Sequence, residues 1–130
     1  FTKPIRHHGW THNQKNQNVL RDLEKLDRFH LEQYAQLVTK MDAVREGEGT
    51  LLDSMMFTLG SGLSSGMLHT CTNLPALIAG SGGGLLKTNR HDQHAKGTPI
   101  ANLWLSMARV MGVKADKIGD STGALKGFLA

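Results

Sequence analysis

Aromatic residues are scarce. Two Trp, one Tyr and four Phe make up 5% of the 130 residues, too few and too scattered to build the stacking platforms that bind single-stranded nucleic acid. Cysteine is scarcer still: Cys71 is alone, which excludes an internal disulfide and leaves two readings open, a small buried side chain or a reactive thiol. Nowhere do five basic residues run together. The net charge of +4 and pI near 9.5 come from Lys and Arg spread among Asp and Glu, so the basic stripe of a nucleic-acid binder is missing and no nucleic-acid partner is expected. No apolar run is long enough to cross a bilayer, and no signal peptide, internal repeat or low-complexity block is present. No transmembrane segment is therefore expected. The opening Phe1-Thr2-Lys3 does not resemble a translation start, and the chain is expected to have lost its natural beginning.

Glycine and histidine are what the chain has instead. Fifteen glycines imply much loop and a core smaller than the length suggests, so a partner surface or a missing half of the domain is expected. Seven of those glycines fall between Gly60 and Gly84. There, two short apolar runs, Ser54 to Leu59 and Leu74 to Ala79, are too short for ordinary helices and are bounded by glycine, which predicts buried strands of a layered α/β protein. The glycine- and serine-rich loop between them, with its single histidine, is the expected functional surface; the competing reading is a long loop that needs glycine only for its turns.

Upstream, residues 1 to 15 contain Pro4 and Gly9 and read as extended or loop. His8 and His12, spaced i, i+4, would share one face of a helical turn, a spacing common in metal sites and equally compatible with surface or hydrogen-bonding histidines. From Asn16 to Arg45 the apolar period becomes helical, with Val19, Leu23, Leu26, His30, Tyr34, Leu37, Met41 and Val44 stepping by three or four. Asn16 or Asn18 caps this helix, Glu24 pairs with Arg28, Gly47 ends it, and His30 lies at its apolar boundary. A helix leading into a strand over so short a link predicts the return half of a βαβ unit, whose first strand would lie before Phe1 or within the first few residues. The run Gly80 to Gly84 follows a strand, but no helix begins at phosphate-loop spacing and Lys87 is misplaced for one, so nucleotide binding is rejected. Leu85 to Lys96, with His91 and His94, reads as a solvated loop. Thr98-Pro99 starts a second helix running to about Met111, with Ile100, Leu103, Met107, Val110 and Met111 on its apolar face. Val113 to Ala130 reads as a loop-rich tail that caps the domain.

The succession HHGWTHNQ, LDRFHLEQYAQLVTKM, GEGTLLDSMMFTLGSGLSSGMLHT, NLPALIAGSGGG, KGTPIANLWLSMARVMGV and GDSTG resembles the C-terminal part of a bacterial family known as domain of unknown function fifteen-fifty-two. The match covers nearly the whole chain and keeps motif order. Members of that family look related to the alkaline phosphatase and sulfatase superfamily and are generally longer than this chain and exported, so the resemblance implies a periplasmic or cell-envelope location. The superfamily binds metal with an Asp-x-x-x-His element, an Asp-His pair at a strand end and a further downstream histidine. Laid on this chain, His8 and His12 occupy the first element with histidine in place of aspartate; a register shifted by two puts Trp10 there instead. Ser61 and Gly62 stand where the Asp-His pair is expected, and His69 is the downstream ligand. Losing the acidic pair removes a second metal, leaving at most a three-histidine site, His8, His12 and His69, suited to zinc or another transition metal with one position open for water. The nucleophile strand is missing, so Ser61, Ser64 and Ser65 are left to position substrate or water.

The expected architecture is thus α/β: residues 1–130 as one C-terminal segment of a larger domain, with a long helix, short buried strands, a C-terminal helix and glycine-rich loops. Two functions compete. One is a hydrolase-derived protein acting on phosphate or sulfate esters through a single histidine metal site. The other is a non-catalytic envelope protein that uses the same fold as a binding or assembly module. Both imply an oligomer, a second protein chain or an absent N-terminal segment against the apolar faces.

Overall fold

The computed structural model describes residues 7–130. Helix α1 (His7–Thr11) precedes the long α2 (Gln17–Asp42). Two-residue strands β1 (Arg45–Glu46) and β2 (Gly49–Thr50) form a hairpin, followed by one helical turn, α3 (Leu51–Ser54). Strands β3 (Phe57–Gly60) and β4 (Ala76–Ala79) pair with each other, and α4 (Ala101–Val110) follows a long coil. The protein is thus a mixture of helices and small antiparallel sheets.

Helix α2 forms where the apolar period predicts it. Asn16 is its N-cap, the side-chain oxygen accepting the Asn18 N–H at 2.9 Å, which satisfies one of the backbone donors left open by helical geometry. The Glu24–Arg28 pair is present at 3.3 Å, but both side chains are exposed, so it contributes at most about 1 kcal/mol. The helix stops at Asp42 rather than Arg45, and Gly47, expected as its stop, lies in the β1–β2 turn. His30, expected at the apolar boundary, is exposed. The reason is that α2, about 39 Å long at 26 residues, is gripped only near its ends. Val19 and Leu23 pack with Trp10 of α1 at one end. Toward the other, the Tyr34 ring stacks on Phe57 at 5.0 Å and its hydroxyl donates to the Phe57 carbonyl at 2.8 Å. Between these grips Phe29 is 51% exposed, and beyond Tyr34 Leu37 is 49% exposed.

The expected βαβ unit would pair a strand ahead of α2 with β3; among the described residues the partner of β3 is β4. They pair antiparallel, Phe57 opposite Ala79 and Gly60 opposite Ala76, because the segment between them holds no helix to carry the chain back for a parallel pairing. The first strand of the expected unit, placed before or within the first few residues, lies outside the described residues. Nor are the strands buried on both faces. Ile78 and Met56 pack with Met107 and Val110 of α4 around Leu86, Leu103 and Phe128, while Leu77 remains 48% exposed. On the opposite face the Tyr34 ring of α2 covers Phe57, and Leu77 lies beyond that cover.

Helix α4 begins at Ala101, just past the Thr98-Pro99 signal. Besides its apolar face it buries two polar residues that bind the tail. Asn102 accepts the Thr122 N–H at 2.8 Å and donates to the Thr122 hydroxyl at 3.1 Å, and Ser106 Oγ accepts the Leu125 N–H at 2.8 Å. These bonds, with buried Phe128 and the Leu86–Leu129 bridge, hold residues 113–130 against the helix as the expected cap.

At the start of α3, the Asp53 carboxylate accepts the Thr50 N–H at 2.7 Å and the Thr50 hydroxyl at 3.0 Å. The backbone bond foremost, then the hydroxyl, hold this carboxyl below the ordinary carboxylate range. A depressed folded-state pKa contributes stability that is fully present above the unfolded value, about 3.9, and is lost as pH falls through the folded value. Asp53→Asn is therefore expected to remove part of the acid limb of the stability profile. The check is whether the urea midpoint of the variant falls less than wild type between about pH 6 and about pH 3; equal slopes would refute it.

Candidate metal centre

Residues 7–11 read as loop because of Gly9, yet they form a helical turn. Burial of Trp10, 7% exposed and packed on Val19 and Leu23, stabilises it. One turn alone is too short to hold in water. Trp10 stands two residues from both His8 and His12, so anchoring the indole inward turns both imidazoles outward. Their ring centres lie 4.7 Å apart.

The third imidazole comes from the loop between β3 and β4, which is built as a tight hairpin. Ser64 N–H donates to the Thr70 carbonyl at 2.8 Å, Thr70 N–H donates to the Ser65 carbonyl at 3.3 Å, and the Ser64 and Thr70 hydroxyls meet at 2.9 Å. Inside the hairpin, Ser65 Oγ accepts the Leu68 N–H at 3.2 Å. His69 is held with φ at +52°, a left-handed conformation that non-glycine residues adopt sparingly and that concentrates at functional positions. It turns the ring toward α1. His12 Nε2 and His69 Nε2 are 3.2 Å apart across 57 positions of sequence, their ring centres are 4.9 Å apart, and His8 to His69 is 6.2 Å.

These distances bear on two chemistries. Two neutral imidazoles can share a hydrogen bond at 3.2 Å, one ring donating and the other accepting. Alternatively, two nitrogens about 2.0–2.1 Å from one tetrahedral zinc stand about 3.3–3.4 Å from each other, with ring centres about 5 Å apart. The His12–His69 and His8–His12 separations fit that spacing, and His8–His69 is the long side of the triangle. As placed, no group of three or more His, Cys, Asp or Glu among the described residues is arranged to hold a metal ion.

The three serines assigned to substrate or water are engaged within the loop. Ser61 Oγ donates to the Leu63 carbonyl at 2.7 Å, Ser64 Oγ is shared between the Thr70 carbonyl and hydroxyl, and Ser65 holds Leu68. Each shapes the hairpin that presents His69. Cys71 is exposed, its thiol 3.8 Å from the His69 carbonyl. The His30 ring has Phe29 beside it at 5.9 Å, and His91 and His94 lie exposed in coil. In the glycine run, Gly82 and Gly83 N–H groups donate to the Met55 and Asp53 carbonyls, and Gly84 N–H donates to Ser81 Oγ. These three donors are committed within the chain and are not free to cradle a phosphate.

Sequence reasoning met Trp10 only as the alternative register of the first metal element and passed over Thr11 and Thr70; these three set the positions of the three rings. The spacing of Trp10 between the two histidines was the legible signal, since a residue midway between i and i+4 faces the other side of a helix. Compared with known proteins, the chain matches no family model, no curated protein and no solved structure. No described helix is long and apolar enough to cross a membrane.

Proposed function

We propose that this chain is the C-terminal part of a phosphatase- or sulfatase-like envelope protein of family fifteen-fifty-two, with the layered superfamily architecture completed by segments outside it. In this reading it holds one transition-metal ion, zinc by the chemistry of its donors, on His8, His12 and His69. The supporting observation is the convergence of His12 and His69 Nε2 to 3.2 Å beside His8. Three neutral imidazoles suit zinc, and three protein ligands leave a fourth position open. Bound there, zinc supplies Lewis acidity toward a phosphate or sulfate ester oxygen and lowers the pKa of water. The hairpin serines orient His69, and the exposure of all three rings leaves the site open to a soluble ester.

A second reading, a non-catalytic binding or assembly module, is favoured by the uncovered apolar side chains Phe29, Leu37 and Val44 of α2 and its C-terminal flank. A second protein chain, or an N-terminal segment of the same polypeptide, would cover them.

Titration of purified protein with cobalt(II), read by its tetrahedral visible absorption, is expected to saturate at one ion per chain, with zinc displacing it. His69→Ala and His12→Ala are each expected to weaken binding by more than about 100-fold, since loss of a ligand should exceed the 10- to 100-fold effect of losing an outer partner. Saturable binding together with turnover of an aryl phosphate or sulfate supports the hydrolase. Binding without turnover supports the module, and no binding in wild type leaves the His12–His69 contact as a hydrogen bond.

A further inference from the structure

We propose that Gly66 is the positioning residue of the histidine cluster: the bare Cα there, set against Thr11, fixes how closely the hairpin bearing His69 approaches the helix bearing His8 and His12. The metal arm of this inference rests on the metal reading above; its structural arm does not.

Helix α1 and the Ser64–Thr70 hairpin are far apart in sequence, so their spacing is set by contact alone. A Cβ on residue 66 would lie 2.6 Å from Thr11 Cβ, 3.0 Å from its Cγ2 and 3.1 Å from its Oγ1. Carbon atoms in contact need about 3.5–4.0 Å, so an added methyl must push the two segments apart by about 1 Å. Thr11 cannot simply rotate away. Its Cβ is fixed to the backbone, β-branching stiffens χ1, and its hydroxyl donates to the His8 carbonyl at 2.8 Å. Metal ligation tolerates about 0.2 Å in donor distance, several times less than that displacement. Glycine is thus required for proximity. Gly66 is not among the residues with positive φ, so alanine is compatible with its backbone and the substitution changes spacing alone.

The test is a cycle of wild type, Gly66→Ala, Thr11→Gly and the double variant, with cobalt(II) affinity and amide exchange across residues 7–16 measured on each. Gly66→Ala is expected to weaken cobalt binding by about 10- to 100-fold, the scale of losing a group that orients a ligand, and to accelerate exchange in α1. Thr11→Gly removes the three atoms nearest to the new methyl, so the double variant is expected to match Thr11→Gly alone on both readouts. An unaltered Gly66→Ala, or a loss that Thr11→Gly fails to absorb, overturns the inference. Should wild type bind no cobalt, the metal reading fails and the exchange cycle still decides the role of Gly66. A denaturation midpoint for each variant separates loss of spacing from loss of fold.

Discussion

Gly80→Ala is expected to leave the chain largely unfolded at room temperature. Gly80 follows β4 with φ at +97°, and a Cβ there would lie 2.2 Å from the Met55 carbonyl oxygen and 2.6 Å from the Leu52 carbonyl oxygen. Both obstacles are backbone, at the end of α3 and the residue after it, so no rotamer change relieves them. The backbone conformation alone costs about 1–3 kcal/mol for a residue with a side chain. The overlap adds at least as much again, since overpacking by single methylenes already costs about 1–3 kcal/mol. Against a total stability of about 5–15 kcal/mol for ordinary domains, and nearer the lower end for a chain with so small a core, the sum removes most of it. Gly84→Ala is the control. Gly84 also has positive φ, +81°, but a Cβ there meets nothing within 4 Å, so only the conformational cost applies. Urea denaturation followed by far-UV circular dichroism checks the pair, and similar midpoints for the two variants would refute the steric argument.

Leu105→Ala comes next in expected effect. Leu105 is the largest side chain of the described residues with no exposure at all, and it lies on α4 beside Asn102 and Ser106, which bind the tail, on the flank away from Leu103 and Met107, which pack toward the sheet. Truncation there loses the transfer free energy of the removed atoms and leaves a cavity, for a cost of about 2–5 kcal/mol. For a chain of this length that lowers the melting temperature by about 10 °C or more. Leu105→Met, which conserves volume, is expected to cost less than about 1.5 kcal/mol. Equal melting temperatures for the Ala and Met variants would show that the site collapses around the truncation. Because Asn102 and Ser106 hold residues 122 and 125, the alanine variant is also expected to release the tail before the rest of the chain melts.

Local signals were legible to different depths. The stepping of Val19, Leu23 and Leu26 announced α2, and Asn16 or Asn18 its cap, because helix periodicity and capping act within a few residues; the structure takes Asn16. Thr98-Pro99 marked α4 to within two residues for the same reason. The apolar runs around Phe57 and Ile78 announced strands but not their direction, which depends on what joins them. His30 fell on the apolar stripe by spacing, yet it is exposed, since periodicity says which side chains share a face and not whether anything covers it. Gly9 argued against helix in residues 7–11, and burial of Trp10 overrode that propensity. Leu105, Asn102 and Ser106 escaped the apolar-face reading because the tail covers a second side of α4.

By itself, the sequence determined α2, α4 and the two strands β3 and β4, the i, i+4 spacing of His8 with His12, and the exclusion of an internal disulfide, a nucleic-acid stripe and a membrane-spanning helix. Each follows from residue types and spacings over a few positions. Only the tertiary structure decided that β3 and β4 run antiparallel, that α2 is gripped at its ends, and that His69 meets His12 at 3.2 Å. Those depend on contacts between segments far apart in the chain, above all Thr11 against Gly66, and no local propensity encodes a distance across 57 positions.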